Sequence, residues 1–482
     1  MTTYRQTGSA AYLIRIVLVA VIGGLLFGYD TAVISGAERG LQSFFRGATD
    51  FSYTDALHGI TTSSALLGCI IGALISGILA SRFGRKRTLF VAGILFLLSA
   101  LGSYFPEFLF FPKGVPSKAL LFAFNGYRVL GGVGVGLASA LCPMYIAEMA
   151  PASKRGRLVS WNQFAIIFGQ LVVYFVNFLI IQTHINDPDI VAWTTATGWR
   201  VMFVSEAVPA GLFSLLILLV PESPRYLALH GHDEKALKVL SNINGETRAR
   251  EILQEIKDTK QEKIGKLFAY GFLVIFIGCM LSVFQQIIGI NAVLYFAPRI
   301  FESMGVSNNM LFTVIMGVIN ISFTLVAIFT VEKLGRKPLL ITGSLGMALG
   351  AFGVALSNVA ALPAWVPVVS IMLYSACFMF SWGPICWVYI SEIFPNTIRS
   401  RATAWAVAFQ WIFNFVVSST FVPMYNIQLG SMGDKFGHFF VYALYGIICL
   451  VAAVFVWRLV PETKGKTLEQ MTAFWRNRSK KK

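Results

Sequence analysis

The chain has 482 residues, of which 56% are hydrophobic and only 13% are charged, and its mean hydropathy is +0.69. A soluble protein carries about 25% charged residues, so this composition excludes an ordinary soluble globular protein. The net charge of +16 does not indicate a nucleic-acid-binding surface, because the basic residues lie in short loops between apolar runs rather than on one helix or stripe. The composition therefore predicts a membrane protein that binds no nucleic acid.

Apolar runs long enough to cross a bilayer recur along the whole chain. A helix of about 20 apolar residues spans the hydrocarbon core. Twelve candidate spans cover residues 12–34, 57–80, 88–105, 119–147, 158–181, 200–220, 268–296, 311–331, 338–357, 364–390, 402–422 and 439–460. An even number of spans places both termini on the same side of the membrane.

Lysine and arginine are concentrated in the loops on one side of the predicted spans. These loops hold Arg82, Arg85, Lys86, Arg87, Lys154, Arg155, Arg157, Lys333, Arg336, Lys337, Arg399 and Arg401. The opposite loops are longer and hold Arg39, Arg46, Lys113, Lys118, Arg299 and Lys435. Cytoplasmic loops carry the excess of basic residues, so both termini are predicted to be cytoplasmic.

Three short motifs of the first half of the chain recur in the same order in the second half. Arg82-Phe-Gly-Arg-Lys matches Lys333-Leu-Gly-Arg-Lys, Tyr145-Ile-Ala-Glu matches Tyr389-Ile-Ser-Glu, and Pro221-Glu-Ser matches Pro461-Glu-Thr. Such repetition indicates parallel structural repeats, with a substrate site between them near the membrane midplane. The sequence therefore predicts an all-α membrane fold with twelve transmembrane helices in two six-helix halves.

The predicted halves are residues 1–220 and 268–460. Between them, residues 221–267 form the only long hydrophilic segment and are rich in Glu, Lys and Arg. They are predicted to form an intracellular helical linker, which is either a solvated connection or a latch between the halves. Residues 461–482 are predicted to form a cytoplasmic C-terminal tail.

Three ionisable residues, Asp30, Arg128 and Glu206, lie within apolar spans. A charge at membrane depth is costly unless it is paired or hydrated, and such residues usually mark function. One interpretation is a static pair of Asp30 with Arg128 that links two helices. The other is that Asp30 takes up a proton when it separates from Arg128, because apolar surroundings disfavour its charged form. Glu206 is expected to tune this exchange.

A second group of residues combines amides with tryptophans on several spans. It comprises Gln163, Gln170, Gln285, Gln286, Asn291, Asn320, Trp382, Trp387, Gln410, Trp411 and Asn414. Amides both donate and accept hydrogen bonds, as a neutral polyol requires, and indole rings offer apolar faces. Hydrogen bonding between helices is the alternative for any single amide. Amides spread over several spans, with tryptophans beside them, indicate a binding site.

Charged residues of the basic loops form a third group. It comprises Arg85, Glu148, Arg155, Glu222 and Arg225 in the first half and Arg336, Glu392, Arg399 and Glu462 in the second. Isolated surface ion pairs contribute little to stability. A network that joins helices across the halves is nevertheless expected to favour one conformation and to gate access from the cytoplasm.

Other patterns argue against bound cofactors and enzymatic chemistry. The glycine run Gly131–Gly136 lies within a predicted span and lacks the spacing of a phosphate loop, so it is interpreted as a close helix-packing surface. All five histidines lie in loops or at span ends, and the six cysteines lie in apolar runs without metal-binding spacing. We therefore expect that the protein binds no metal and no cofactor and that it is not an enzyme.

The chain resembles the sugar porters of the major facilitator superfamily over nearly its full length. The resemblance rests on Arg82-Phe-Gly-Arg-Lys, Pro221-Glu-Ser-Pro-Arg, Gln285-Gln-Ile-Ile-Gly-Ile-Asn and Pro461-Glu-Thr-Lys-Gly-Lys, which together are highly specific. It implies that Asp30 is the proton site and Arg128 its partner. It also implies that the sugar is contacted by Gln163, Gln285, Gln286, Asn291, Asn320, Trp387, Gln410 and Trp411, with Phe27 and Tyr295 as gating or lining aromatics.

The function implied by the resemblance is proton-coupled symport of a monosaccharide by alternating access, with D-xylose as the first candidate. Symport of a hexose such as glucose or galactose remains an alternative, as does facilitated uniport, against which Asp30 argues. A receptor that binds sugar without accumulating it is a further alternative. The expected partners are the sugar, the proton as coupling ion and the lipid bilayer. We expect a monomer in a bacterial inner membrane.

Overall fold

In the computed structural model, twelve helices are long and apolar enough to cross a membrane, which confirms the predicted number. The structure describes residues 8–108, 110–151, 154–259, 267–360, 362–395, 398–464 and 468–479, and every regular element in these ranges is a helix. Spans 1 to 12 are Ala10–Arg46, Asp55–Phe83, Arg85–Tyr104, Lys118–Met149, Leu158–Thr183, Ile190–Ile217, Phe272–Tyr295, Asn309–Val331, Arg336–Val359, Trp365–Ile390, Arg401–Tyr425 and Asp434–Leu459.

The order of the spans defines two halves and two sides, which are named here for use below. Spans 1–6 are the first half and spans 7–12 the second half. Span 1 begins, and span 12 ends, on the side that we call the terminal side; the opposite side is the far side. The two halves meet where span 2 packs against span 11 and span 5 against span 8.

Two spans extend well beyond a predicted end. Span 1 continues to Arg46 instead of ending near residue 34, so Arg39, which was assigned to a loop, lies within the helix beside the buried Glu38. Span 6 begins at Ile190 instead of near residue 200. A turn of π-helix at Thr194–Gly198 extends it, and its threonines and glycine lower the local hydropathy.

Two spans are interrupted near the middle of the bundle. Span 7 breaks between Phe272–Ile287 and Ile290–Tyr295 at Gly289, whose φ of 90° lies in the left-handed region that favours glycine. Span 10 breaks at Ser381, just before Gly383 and Pro384, and resumes as Trp382–Ile393. Irregular backbone at membrane depth is tolerated where it lines a cavity, so the breaks point to the centre of the bundle.

Spans 2 and 4 approach each other closely along a surface of small residues. A Cβ atom at Gly132 would collide with the carbonyl oxygen of Ala65, and one at Gly136 would collide with that of Cys69. Small residues of this kind let the backbones of two membrane helices come into contact. The contact confirms the interpretation of the Gly131–Gly136 run as a packing surface.

The segments outside the spans are helical and dock onto the bundle. The linker contains the helices Pro224–Leu229, Asp233–Asn244 and Glu246–Thr259. It contacts the first half, where the N–H of Ser9 donates to the carbonyl oxygen of Asn242 at 2.9 Å. The C-terminal tail contains the helix Leu468–Ser479, whose Trp475 Nε1 donates to the carbonyl oxygen of Ile393 at 3.0 Å. Residues 1–7, 260–266, 465–467 and 480–482 of the predicted domains lie outside the described residues.

Span 4 offers a matched pair of glycines that tests this packing. Gly132→Ala should destabilise the protein by about 1–3 kcal/mol, because the added methyl group forces spans 2 and 4 apart. Gly126→Ala should not destabilise it, because nothing lies within 4 Å of that position and alanine favours the helix. Thermal unfolding of the two purified variants checks this, and equal midpoints would contradict the packing account.

Candidate functional site

A cavity lies at the centre of the bundle, between the two halves. It contains about 700 Å³ of empty space, part of it open to solvent. Spans 1 and 5 line it from the first half, and spans 7, 8, 10 and 11 from the second. Of the residues predicted to bind substrate, it is lined by Phe27, Gln163, Gln170, Gln285, Gln286, Asn291, Tyr295, Trp387, Gln410, Trp411 and Asn414.

The two helix breaks orient the amides on one wall of the cavity. Gln285 Nε2 donates to the carbonyl oxygens of Trp382 and Gly383, at 2.9 and 3.1 Å, which lie just after the break in span 10. Gln410 Nε2 donates to Gln285 Oε1, and Asn291 Nδ2 donates to Gln286 Oε1 at 2.6 Å. These bonds hold the amides in fixed orientations, so the wall is preorganised for a polar guest.

Several polar atoms at the cavity keep unused hydrogen-bonding capacity. Gln170 Oε1, Gln410 Oε1 and Trp411 Nε1 are buried, and none of them has a hydrogen-bond partner among the described residues. A buried polar atom without a partner costs about 1–3 kcal/mol. The ring of Trp411 also lies 5.6 Å from that of Phe27, which forms an apolar wall. The cavity therefore suits a small guest with hydroxyl groups and an apolar face.

The structure places two of the predicted residues away from the cavity. Trp382 is fully buried, and its Nε1 donates to Ser344 Oγ at 2.7 Å and to the carbonyl oxygen of Leu340 on span 9. It lies five residues before Trp387, a spacing that puts two side chains on different faces of a helix. Asn320 is also buried and accepts a hydrogen bond from Ser375 Oγ at 2.6 Å. Both side chains join helices of the second half.

The cavity also has lining residues that the sequence analysis missed. They are Thr31, Ile166, Ile167, Leu294, Thr324, Phe378, Met379, Gly383 and Pro384. Thr31 could have been predicted, because it follows Phe27 by four residues and therefore lies on the same face of span 1. The apolar residues carry no such signal, since they resemble the lipid-facing residues of any span.

The three ionisable residues singled out from the sequence, Asp30, Arg128 and Glu206, lie together beside the cavity. Arg128 Nη1 donates to Asp30 Oδ1 at 2.6 Å, and Nη2 donates to the carbonyl oxygen of Asp30 at 3.2 Å. The guanidinium also lies 4.9 Å from the centre of the Phe203 ring. The exposed fractions are 0% for Asp30, 3% for Arg128 and 0% for Glu206.

Glu206 lies between two helical segments of span 6, Trp199–Val204 and Ala207–Ile217, within electrostatic range of Asp30 and Arg128. Neither of its carboxylate oxygens accepts a hydrogen bond from a described residue. The site thus contains two carboxylates and one guanidinium, with no water-exposed surface to stabilise the excess negative charge.

The charged residues of the terminal side form two equivalent clusters, one in each half. In the first, Arg85 donates twice to Glu148, at 2.9 and 2.8 Å. In the second, Arg336 donates twice to Glu392, at 3.2 and 2.8 Å. The recurring sequence motifs therefore correspond to a recurring three-dimensional arrangement.

A second glutamate in each cluster caps a helix instead of pairing with an arginine side chain. Glu222 accepts from the N–H of Arg85 at 2.9 Å, at the start of span 3. Glu462 accepts from the N–H groups of Arg336 and Lys337, at 3.1 and 2.9 Å, at the start of span 9. Burial raises the pKa of Glu462, but these and neighbouring backbone hydrogen bonds outweigh it and hold the pKa below its usual range.

Each of these two ion pairs lies within one half of the protein. The other predicted members of the network lie nearby on the terminal side. Arg155 Nε donates to the carbonyl oxygen of Ala147, Arg399 Nε donates to that of Phe394, and Arg225 is exposed. The two ion pairs brace the helices of each half.

Comparison with known proteins assigns the chain to a family. Residues 16–475 match the family model described as sugar (and other) transporter. The D-xylose-proton symporter of Escherichia coli (strain K12) is 48% identical over 98% of this chain and 98% of its own length. The glucose facilitated diffusion protein of Zymomonas mobilis is 37% identical over 97% of this chain and 98% of its own length.

A solved structure supports the same assignment. The inward-open xylose transporter XylE from E. coli is 47% identical, and it superposes with a TM-score of 0.85 over 96% of this chain and 100% of that chain. The family match, the sequence identity and the superposition agree with the twelve spans and the central cavity. The chain therefore belongs to the sugar transporter family, and it is a multi-pass membrane transporter of the major facilitator fold and not an enzyme.

Proposed function

We propose that the protein carries out proton-coupled symport of a monosaccharide, with D-xylose as the first candidate, across a bacterial inner membrane. The observation that carries this proposal is the buried group of Asp30, Glu206 and Arg128 beside the amide-lined cavity. Alternating access supplies the transport step, and the proton is the coupling ion.

The charge balance of the buried group argues for proton coupling. Two ionised carboxylates beside one guanidinium leave one negative charge without compensation in a site that excludes water. Carboxylates that share such a site do not both stay ionised. A proton bound to Asp30 or Glu206 neutralises the excess charge, and release of that proton restores it. The group therefore has two charge states that differ by one proton.

The position of Asp30 connects that proton to the sugar. Asp30 lies on span 1 between Phe27 and Thr31, which both line the cavity. The ionised carboxylate holds span 1 to span 4 through Arg128, and a protonated carboxyl loses most of that attraction. Span 1 can then shift relative to span 4, and its shift changes the shape of the cavity wall.

The chemistry of the cavity supports a neutral sugar as the guest. Its unpartnered atoms include acceptors on Gln170 and Gln410 and a donor on Trp411, and sugar hydroxyls can satisfy both kinds. We propose that Gln163, Gln285, Gln286, Asn291 and Trp387 complete the site. The relative with 48% identity is a D-xylose-proton symporter, which favours a pentose.

We also propose how the chain is organised in the membrane. Residues 1–220 and 268–460 act as two bodies, residues 221–267 connect them as an intracellular linker, and residues 461–482 form a cytoplasmic tail. The basic loops lie on the terminal side, so both termini are cytoplasmic. The protein acts as a monomer, because the cavity is completed by the two halves of one chain.

Facilitated uniport of a hexose is the second candidate function. It is favoured by one observation, the 37% identity to a glucose facilitated diffusion protein over nearly the whole chain. A uniporter needs no proton site, so the charge state of Asp30 distinguishes the two functions.

Replacing one cavity residue tests the assignment of the sugar site. Trp387→Ala should weaken binding of D-xylose at least tenfold, because the sugar loses an apolar ring face. Trp161→Ala on span 5 is the matched control, since this tryptophan is 50% exposed and does not line the cavity. Isothermal calorimetry on the purified variants measures both affinities. Unchanged affinity in Trp387→Ala would remove Trp387 from the sugar site.

Replacing Asp30 tests the proposed coupling. Asp30→Asn keeps the size of the side chain and removes its titratable proton, so exchange of labelled xylose across proteoliposomes should persist. Accumulation against a gradient should be lost, together with sugar-induced alkalinisation of the medium. A potential of 100 mV contributes ~2.3 kcal/mol per proton carried, about a fiftyfold concentration ratio that the variant forgoes.

The control for this experiment is Asp434→Asn, which neutralises an exposed carboxylate at the far-side start of span 12. It should retain both exchange and accumulation. Concentration of xylose by Asp30→Asn under an imposed proton gradient would show that the coupling is assigned to the wrong residue.

A further inference from the structure

The two halves are joined on the far side by an ion pair that is almost completely buried. Glu38 belongs to span 1, and Arg299 belongs to the helix Ala297–Ser303 that follows span 7. Arg299 Nε lies 3.1 Å from Glu38 Oε1, and the exposed fractions of their side chains are 10% and 1%. The sequence had indicated only a loop here, and Arg299 counted only as a far-side loop charge.

Residues of the first half contact both members of this pair. His58 Nε2 lies 3.0 Å from Glu38 Oε2, and the other ring nitrogen of His58 lies 3.0 Å from the hydroxyl of Tyr53. Arg299 Nη2 also donates to Gln42 Oε1. His58 and Tyr53 are both buried, so contacts within the first half orient the carboxylate toward Arg299.

A second ion pair crosses the same boundary but remains in solvent. Arg39, the neighbour of Glu38 on span 1, pairs with Glu302 of the second half, and their side chains are 43% and 45% exposed. Nearby, Asn426 Nδ2 donates to Asp55 Oδ2 at 2.8 Å, again between the halves. The far-side boundary therefore has one buried and one exposed Arg–Glu pair, a few residues apart.

The two pairs differ in what their loss does. Removing one partner of a buried pair leaves an uncompensated charge in the protein interior, which strongly destabilises that arrangement. Removing one partner of an exposed pair has a small effect, because water solvates the remaining charge. The buried pair therefore stabilises the closed far side more than the exposed pair does, because opening that side separates Glu38 from Arg299 and exposes both side chains to water.

The pair is also connected to the central site along both helices. Glu38 lies eight residues beyond Asp30 on the unbroken helix of span 1, and Arg299 lies four residues beyond the cavity residue Tyr295. A shift of span 1 at Asp30 therefore moves Glu38 as well.

We propose that the Glu38–Arg299 pair is the lock of the far-side gate, which holds the halves together while the cavity is closed to that side. The lock requires movement of the two halves, but it does not depend on which sugar is carried or on proton coupling.

A distance measurement across the far side tests the lock. Nitroxide labels at Thr49 and Leu429, two exposed loop positions in opposite halves, report separation of the halves by double electron–electron resonance. The six native cysteines are first replaced. Arg299→Gln should raise the ratio of open to closed far-side populations at least about tenfold in lipid nanodiscs. Glu302→Gln, the matched control on the exposed pair, should change it less than about fivefold.

A double variant separates the lock from general damage. Glu38→Gln combined with Arg299→Gln removes both charges, so its far side should be closed more often than in Arg299→Gln alone, by about tenfold. Thermal unfolding confirms that each variant is folded. If Arg299→Gln fails to fold, Glu38→Gln takes its place as the single variant in the same comparison.

Three results would each overturn the proposal: a single variant with the wild-type distance distribution, an equal shift in Glu302→Gln, or additive effects in the double variant. Because the readout is a distance and not uptake, a failure of the proposed symport function leaves this test unaffected.

Discussion

The contact of Asp30 with Arg128 is the interaction on which the account of this protein depends. A guanidinium and two carboxylates are buried together in a membrane helix bundle, where each isolated charge is costly. The net charge of this group is zero only when one carboxylate binds a proton, and otherwise the helices must rearrange to hydrate the excess charge. A protein that only needed to join spans 1 and 4 could do so with apolar packing at lower cost. The buried charges therefore indicate a functional role and not a purely structural one.

Span 1 connects the parts of the molecule that take part in transport. Phe27 and Thr31 face the cavity, Asp30 binds Arg128, and Glu38 reaches across the far-side boundary to Arg299. These residues lie on one unbroken helix, so a change at the charged site is carried to the cavity wall and the boundary together. On the terminal side, by contrast, the ion pairs brace each half separately. The two sides of the bundle are thus built differently.

The sequence predicted those features that follow from polarity at membrane depth. Twelve apolar runs predicted the spans, and the amides within them predicted seven of the residues that line the cavity. Features that depend on tertiary contacts could not be predicted from the sequence. The end of span 1 was predicted too early, and the ion pair that Glu38 forms in the additional turns has its partner, Arg299, far away in the chain. Trp382 does not line the cavity, because its indole nitrogen donates to acceptors on span 9.

Proton coupling is the central claim, and the wild-type protein tests it most directly. In proteoliposomes with the membrane potential held at zero, the equilibrium ratio of internal to external xylose is measured against an imposed pH difference. Symport of one proton with each sugar predicts that the ratio changes tenfold for each pH unit, because one unit corresponds to about 1.4 kcal/mol. A ratio that stays at one for every imposed gradient would contradict the account and identify the protein as a uniporter.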